Sequence, residues 1–175
     1  LAMLYLERYP RSENAAKLLL RRTGLMRDDR AAEVLLAVPP SSQVYLAARR
    51  QGANLLFRAF RASAPRADRE FIAQQFLTVA DELLAGARQD AVTGSDRAAA
   101  ERALEEFVLR ARQIAEVALA SAAPDLTRAA AALDALAQAE QSLSLDLRPM
   151  RGEMAFRRLQ IAIIQSDWAA ADALL

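Results

Sequence analysis

Apolar residues recur along this chain at spacings of three and four, and no stretch alternates apolar with polar long enough to define a strand. That rhythm predicts a succession of amphipathic helices separated by proline, glycine and capping residues. After Pro10, Ser12 caps a helix with Glu13 near its start, running through Ala15, Ala16, Leu18, Leu19 and Leu20 to an αL cap at Gly24. Asp28 or Asp29 caps a short antiparallel partner that buries Ala32, Leu35 and Leu36, and Pro39-Pro40 stops it. Ser41 and Ser42 then open a longer helix toward Ser63, with Tyr45, Ala48, Gly52, Leu55/Leu56 and Ala59/Phe60 facing inward. Gly52 in mid-helix costs about 1 kcal/mol relative to alanine, and a close helix crossing would account for it.

The second half repeats the rhythm. Pro65 stands at a first-turn position of a helix whose stripe is Phe71/Ile72, Phe76, Val79/Ala80 and Leu83/Leu84, fraying near Gly86. Residues 87–95, with Asp90 and Thr93-Gly94-Ser95, are rich in turn formers and predict a loop between subregions 1–86 and 96–175. Ser95 or Asp96 caps a long helix to Ser121. Its inward face is Leu104, Phe107/Val108, Ala111, Ile114/Ala115 and Ala118, with Arg102, Glu105, Glu106, Arg110 and Arg112 in water. Pro124-Asp125 starts an alanine-rich helix through Leu126, Leu133 and Leu136. Pro149 separates it from a helix that packs Met154/Ala155, Leu159 and Ala162/Ile163 inward. A turn at Ser166-Asp167 leads into a last helix, with Trp168, Ala171 and Leu174/Leu175 as its apolar side.

Composition reinforces the all-α reading: 54% of residues are hydrophobic, most of them alanine and leucine, and aromatics are only 6%. At 175 residues the chain suits a single domain spanning 1–175. Cysteine and histidine are both missing, which removes disulfides, thiolate chemistry, imidazole acid–base work and His-based metal sites. The isolated glycines form no phosphate-cradling loop, and Ser and Thr have no imidazole to activate them. Adjacent carboxylates such as Asp28/Asp29, Asp81/Glu82 and Glu105/Glu106 diverge by about 100° on a helix. Glu101 and Glu105 do share a face, but they alternate with Arg97, Arg102 and Arg110 as a salt-bridged surface would. The chain reads as no enzyme, with no cofactor.

A net charge of +1 carries no nucleic-acid signature, and no run approaches the ~20 apolar residues of a membrane span. The sign is unevenly spread: residues 1–70 hold 13 basic and 7 acidic groups, whereas 71–175 hold 10 and 15. Such asymmetry marks either a basic docking face or simply the solvated surfaces of several helices. Of the 23 basic residues 22 are arginine, whose planar fork suits carboxylates. Arg21, Arg22, Arg49, Arg50, Arg58 and Arg61 are accordingly the candidate contacts for a protein partner, with an acidic peptide segment as the expected ligand.

The two ends resemble tetratricopeptide-like repeats, stacked helix pairs of about 34 residues. Asp167-Trp168-x-x-Ala171 looks like the start of the second helix in that family, where a small alanine permits close approach. Leu4-x-Leu6-x-x-Tyr9-Pro10-x-Ser12-x-x-Ala15 looks like the inter-repeat junction of bacterial members. Leu159 and Ala162 stand one place late against the family's pattern, and the central helices are longer than the family's. The resemblance implies helix hairpins stacked as an α-solenoid with elongated central helices, incomplete at both ends, within a larger bacterial protein. It implies a non-catalytic scaffold for protein–protein interaction; the alternative is a structural spacer or oligomerisation module without a ligand groove. Cytoplasm and periplasm are both open, any targeting signal being expected outside the chain. Trp168, Leu174 and Leu175 at one end and Leu4 and Leu6 at the other would then be exposed edges, available for self-association.

Overall fold

The computed structural model describes residues 4–5, 8–9, 12–62, 67–94, 96–143 and 145–175. Among the described residues all regular structure is helical, with no strand. The helices are α1 (Glu13–Thr23), α2 (Asp28–Leu36), α3 (Tyr45–Ala62), α4 (Ala67–Thr93), α5 (Arg97–Ala120), α6 (Leu126–Ser142), α7 (Arg151–Ile164) and α8 (Trp168–Asp172), with a 3-10 turn at Arg148–Met150. They form two compact units, residues 1–79 and 80–175, whose boundary falls inside α4.

In the first unit α2 and α3 make the principal pair. Ala31, Ala32 and Leu35 of α2 are buried, as are Ala48, Gly52, Ala53, Leu55, Leu56, Ala59 and Phe60 of α3. The three-and-four spacing therefore does define the inward face. Gly52 lies against the end of α2: a Cβ placed there would stand 2.8 Å from Leu36 Cδ2. The expected starts differ in detail. Arg27, not an aspartate, occupies the N-cap of α2 and makes no side-chain cap, while Asp28 and Asp29 sit in the first turn, where the helix dipole favours them. After Pro39-Pro40 the chain makes a further turn (Ser42 N–H to Pro39 O, 2.9 Å; Tyr45 N–H to Ser42 O, 3.0 Å) before α3 begins.

Among the described residues no glycine has a positive φ, so the αL cap expected at Gly24 is not formed. Instead α1 ends in short-range bonds from Leu25 N–H to Arg22 O (3.2 Å) and Met26 N–H to Thr23 O (3.1 Å). Leu19 is buried but Leu18 is exposed; the side chains of Ala15, Ala16 and Leu20 lie outside the described set. In the N-terminal part of α4, Ile72, Ala73, Phe76 and Leu77 are buried, whereas Phe71 is exposed. Phe76 meets Phe57 at 5.6 Å between ring centres, and the Arg69 guanidinium lies 4.3 Å over the Phe60 ring. The expected helix start at Pro65 lies outside the described residues.

The second unit overturns the loop expected at 87–95. Helix α4 passes through Gly86 and continues to Thr93, because Ala87 is needed in the core with Phe107, Ala111, Leu136, Ala139 and Leu147. The connection is confined to a few residues around Gly94, where a Cβ would stand 2.8 Å from the Asp90 carbonyl oxygen. Asp96 then caps α5, its carboxylate accepting from Ala99 N–H at 2.7 Å; Ser95 lies outside the described residues. Asp125 caps α6 in the same way, accepting from Arg128 N–H at 2.9 Å.

Helix α5 packs mainly on α6, and α7 touches both. Its burial runs further around than the expected stripe. Arg110, expected in water, is 0% exposed, and Glu106 is largely covered beside it. Arg110 Nε donates to Glu106 Oε1 at 2.7 Å and Nη1 donates to Gln113 Oε1 at 2.8 Å, so the guanidinium enters the interior already hydrogen-bonded. On α7 only Ile161 and Ala162 are fully buried, and Ile163 is exposed.

The turn from α7 to α8 has a defined geometry. Asp167 N–H reaches Ala162 O at 2.9 Å and Ser166 N–H reaches Ile163 O at 3.0 Å, a Schellman motif with Ser166 at φ 58°. Asp167 then caps α8 through Ala170 N–H at 3.0 Å. Of the expected apolar side of α8, Ala171 is buried and Leu174 half-buried, but Trp168 is 67% exposed and Leu175 is exposed. Leu4 is exposed as well, and Leu6 lies outside the described residues.

Candidate functional site

The six candidate arginines are divided between α1 and α3. Arg21 and Arg22 are exposed near the end of α1. On α3, Arg49 and Arg58 are nine residues apart, a half-turn out of phase at about 100° per residue, so they leave the helix in opposite directions. Arg58 Nη2 is held by Asp28 Oδ1 at 2.9 Å, a contact between α3 and the first turn of α2. Arg49 lies 5.6 Å over the Tyr45 ring and Arg61 lies 5.9 Å over Phe57, both intrahelical stacking contacts. Arg50 is half-buried on the same helix. These groups solvate and brace their own helices, and Arg58 already has a carboxylate.

The second unit offers a more coherent feature, a cleft of about 470 Å³ between α5 and the segment that follows α6. Its apolar surface comes from Leu104, Val108 and Leu109 on one side and Leu145, Leu147 and Met150 on the other. Val108, Leu145 and Met150 also pack on the Phe107–Leu136 core cluster, so the floor is the outer margin of the core itself. Leu109 is 38% exposed at the mouth. The α5 contributors recur at three and four because they are one helix face, and Pro149 with its 3-10 turn brings Leu145–Met150 back against it.

The rim is mostly acidic: Glu101, Glu105 and Asp146 face a single base, Arg112. Arg112 is itself drawn to α7 by Glu153, Nη2 to Oε2 at 2.6 Å. Glu101 meets Arg97 at 2.8 Å in a solvent-exposed pair. Asp146 takes both an Arg148 side-chain contact at 2.7 Å and the Arg148 backbone N–H at 3.0 Å. Those hydrogen bonds pull its carboxyl down to about 2. Glu105 has no ion-pair partner among the described residues.

A second cleft of about 420 Å³ places Asp81 and Asp125 beside Arg128, at 3.4 and 3.8 Å from its Nε. Burial raises the Asp81 carboxyl above its ordinary value, with the Arg128 charge opposing. Here a single arginine bridges carboxylates from two helices, which describes a braced helix junction.

Among the described residues no cluster of three or more Asp or Glu could hold a metal ion, and no helix is long and apolar enough to cross a membrane. Sequence reasoning missed the α5 cleft because half of its wall is supplied by residues more than thirty positions downstream of the α5 face. The one available signal was Leu109, an apolar residue lying outside the expected inward stripe of this helix. Compared with protein-family models, with curated proteins and with solved structures, the chain finds no match.

Proposed function

We propose that this chain is a non-catalytic helical scaffold, related in architecture to tetratricopeptide-like hairpin stacks, that holds a segment of another protein against α5. The observation that carries this reading is the cleft at Leu109, whose apolar floor is backed by the core and whose rim is charged. A pre-formed apolar depression with a few polar groups at its edge is how rigid helical proteins bind partner segments without chemistry of their own. The tandem pairing of sequence neighbours, α1 with α2, α2 with α3, α5 with α6 and α7 with α8, supports the hairpin-stack part of the proposal.

A photo-activatable crosslinking residue at Leu109 tests it in cells. The expected result is an adduct with a different protein that is lost when Val108 is replaced by Arg to fill the cleft. The spacer reading has its own supporting observation: Phe156 and Ile163 are exposed and seven residues apart on α7, hence on one face, with exposed Trp168 at the start of α8. Adducts between copies of this chain from a crosslinker at Phe156, with none from Leu109, would replace the scaffold reading by that one.

A further inference from the structure

We infer that the occupant of the α5 cleft is a basic amphipathic helix of a partner protein, apolar on one face and flanked by Lys or Arg. This inference rests on the binding role assigned to that cleft above and reverses the charge expected of the partner from the sequence. Its warrant is charge complementarity around an apolar floor. The lining carries three carboxylates, Glu101, Glu105 and Asp146, against Arg112; Arg112 is drawn to Glu153, Asp146 is held by Arg148 and Glu101 by Arg97, so Glu105 is the carboxylate on which the contact chiefly rests. Glu105 has no ion-pair partner among the described residues. The Arg97–Glu101 pair is exposed, so an incoming cation displaces Arg97 at little cost.

The wider field has the same sign. Residues 80–175 hold 15 acidic and 10 basic groups, so a cationic segment is drawn toward this unit and an acidic one repelled. The shape agrees with a helix as well. Leu104, Val108 and Leu109 recur along one helix face opposite Leu145, Leu147 and Met150, giving two apolar walls between which anchors spaced three and four apart can lie. The carboxylates at the edge then meet the residues that flank that apolar stripe.

The test is fluorescence anisotropy with the whole chain and two labelled synthetic helices of equal length, each with a leucine stripe, one flanked by lysines and the other by glutamates. The lysine helix is expected to bind and the glutamate helix to bind at least about tenfold more weakly. Glu105→Lys and Glu101→Lys, both at exposed positions, should each weaken the lysine helix severalfold and strengthen the glutamate helix. Asp172→Lys makes the same change in net charge on α8, off the cleft lining, and should leave both affinities unchanged. Equal losses from Asp172→Lys and Glu105→Lys would overturn the inference, since only net charge would then be at work. If neither helix binds while the Leu109 crosslinker still captures a partner protein, the basic helix is refuted and the cleft survives. If both fail, the cleft reading falls with it.

Discussion

Gly52 of α3 and Leu36 at the end of α2 meet so closely that a methyl group added at Gly52 requires the leucine side chain to shift. A Cβ at Gly52 would stand 2.8 Å from Leu36 Cδ2 and 3.0 Å from its Cγ. Two effects of similar size then compete in Gly52→Ala: a gain in helix propensity of about 1 kcal/mol and an overpacking cost of about 1–3 kcal/mol. The overpacking wins because Cγ, and not only the end of the leucine, lies too near. Gly52→Ala is expected to destabilise by about 1 kcal/mol in urea unfolding. In a Leu36→Ala background the sign should reverse, since the obstacle is gone and propensity alone remains. A stabilising Gly52→Ala in the unaltered chain would show that the crossing is looser than described.

Arg110 stands at the opposite extreme, a long cationic side chain with no exposed surface. Replacing it by Ala removes volume and leaves Glu106 and Gln113 without their donor, for an expected loss of about 3–4 kcal/mol. Arg110→Met keeps most of the volume, and Glu106 retains some contact with water, so the loss should be about 1 kcal/mol. The ordering is the prediction. Equal losses from the two substitutions would mean that the hydrogen bonds, and not the packing, dominate.

These two residues also show what the sequence discloses and what it hides. Gly52 stood out because glycine in mid-helix is unfavourable, and the burial of Ala48, Leu55, Leu56 and Phe60 followed from spacing on one helix. Arg110 was misplaced because an arginine four residues after a glutamate is usually a solvated pair; only the extent of burial around α5 makes it interior. The same applies to the expected loop at 87–95. Its turn-forming residues are real, but Ala87 belongs to a core shared with Leu136 and Leu147, a relation that no local rule encodes. Among the candidate arginines Arg49 and Arg58 lie a half-turn apart on one helix, while the α5 cleft needed a wall from distant sequence.

Ser166 occupies the αL position of the Schellman turn at φ 58°, where a side chain is disfavoured and glycine is not. Ser166→Gly should therefore stabilise the α7–α8 junction by about 1 kcal/mol, and Ser166→Val should weaken it by at least as much. Because the junction lies near one end of the described chain, the sensitive readout is hydrogen exchange of the Ala170 and Ala171 amides, which Asp167 caps by its side-chain and backbone acceptors. Slower exchange in Ser166→Gly and faster exchange in Asp167→Ala are expected together. Unchanged exchange in both would remove the junction as an ordered motif.

The rim of the cleft carries a pH signature. Asp146 accepts from both the side chain and the backbone N–H of Arg148, which lowers its carboxyl from 3.8 to about 2. A carboxylate whose value is lower when folded favours the folded state above its ordinary titration range. That contribution fades as pH falls from 3.8 toward about 2. Carbon-detected NMR titration should place the Asp146 midpoint near 2, well below its ordinary value of 3.8. Arg148→Gln removes the largest cause, the side-chain hydrogen bond, but keeps the backbone N–H, so the midpoint should rise part of the way back toward 3.8. Because the pair is exposed to solvent, added salt should weaken its charge component in the unaltered chain and leave the backbone component in place. A midpoint that stays near 2 in Arg148→Gln would assign the effect to the backbone donor alone, and one near 3.8 in the unaltered chain would mean that the Asp146–Arg148 bonds are not formed.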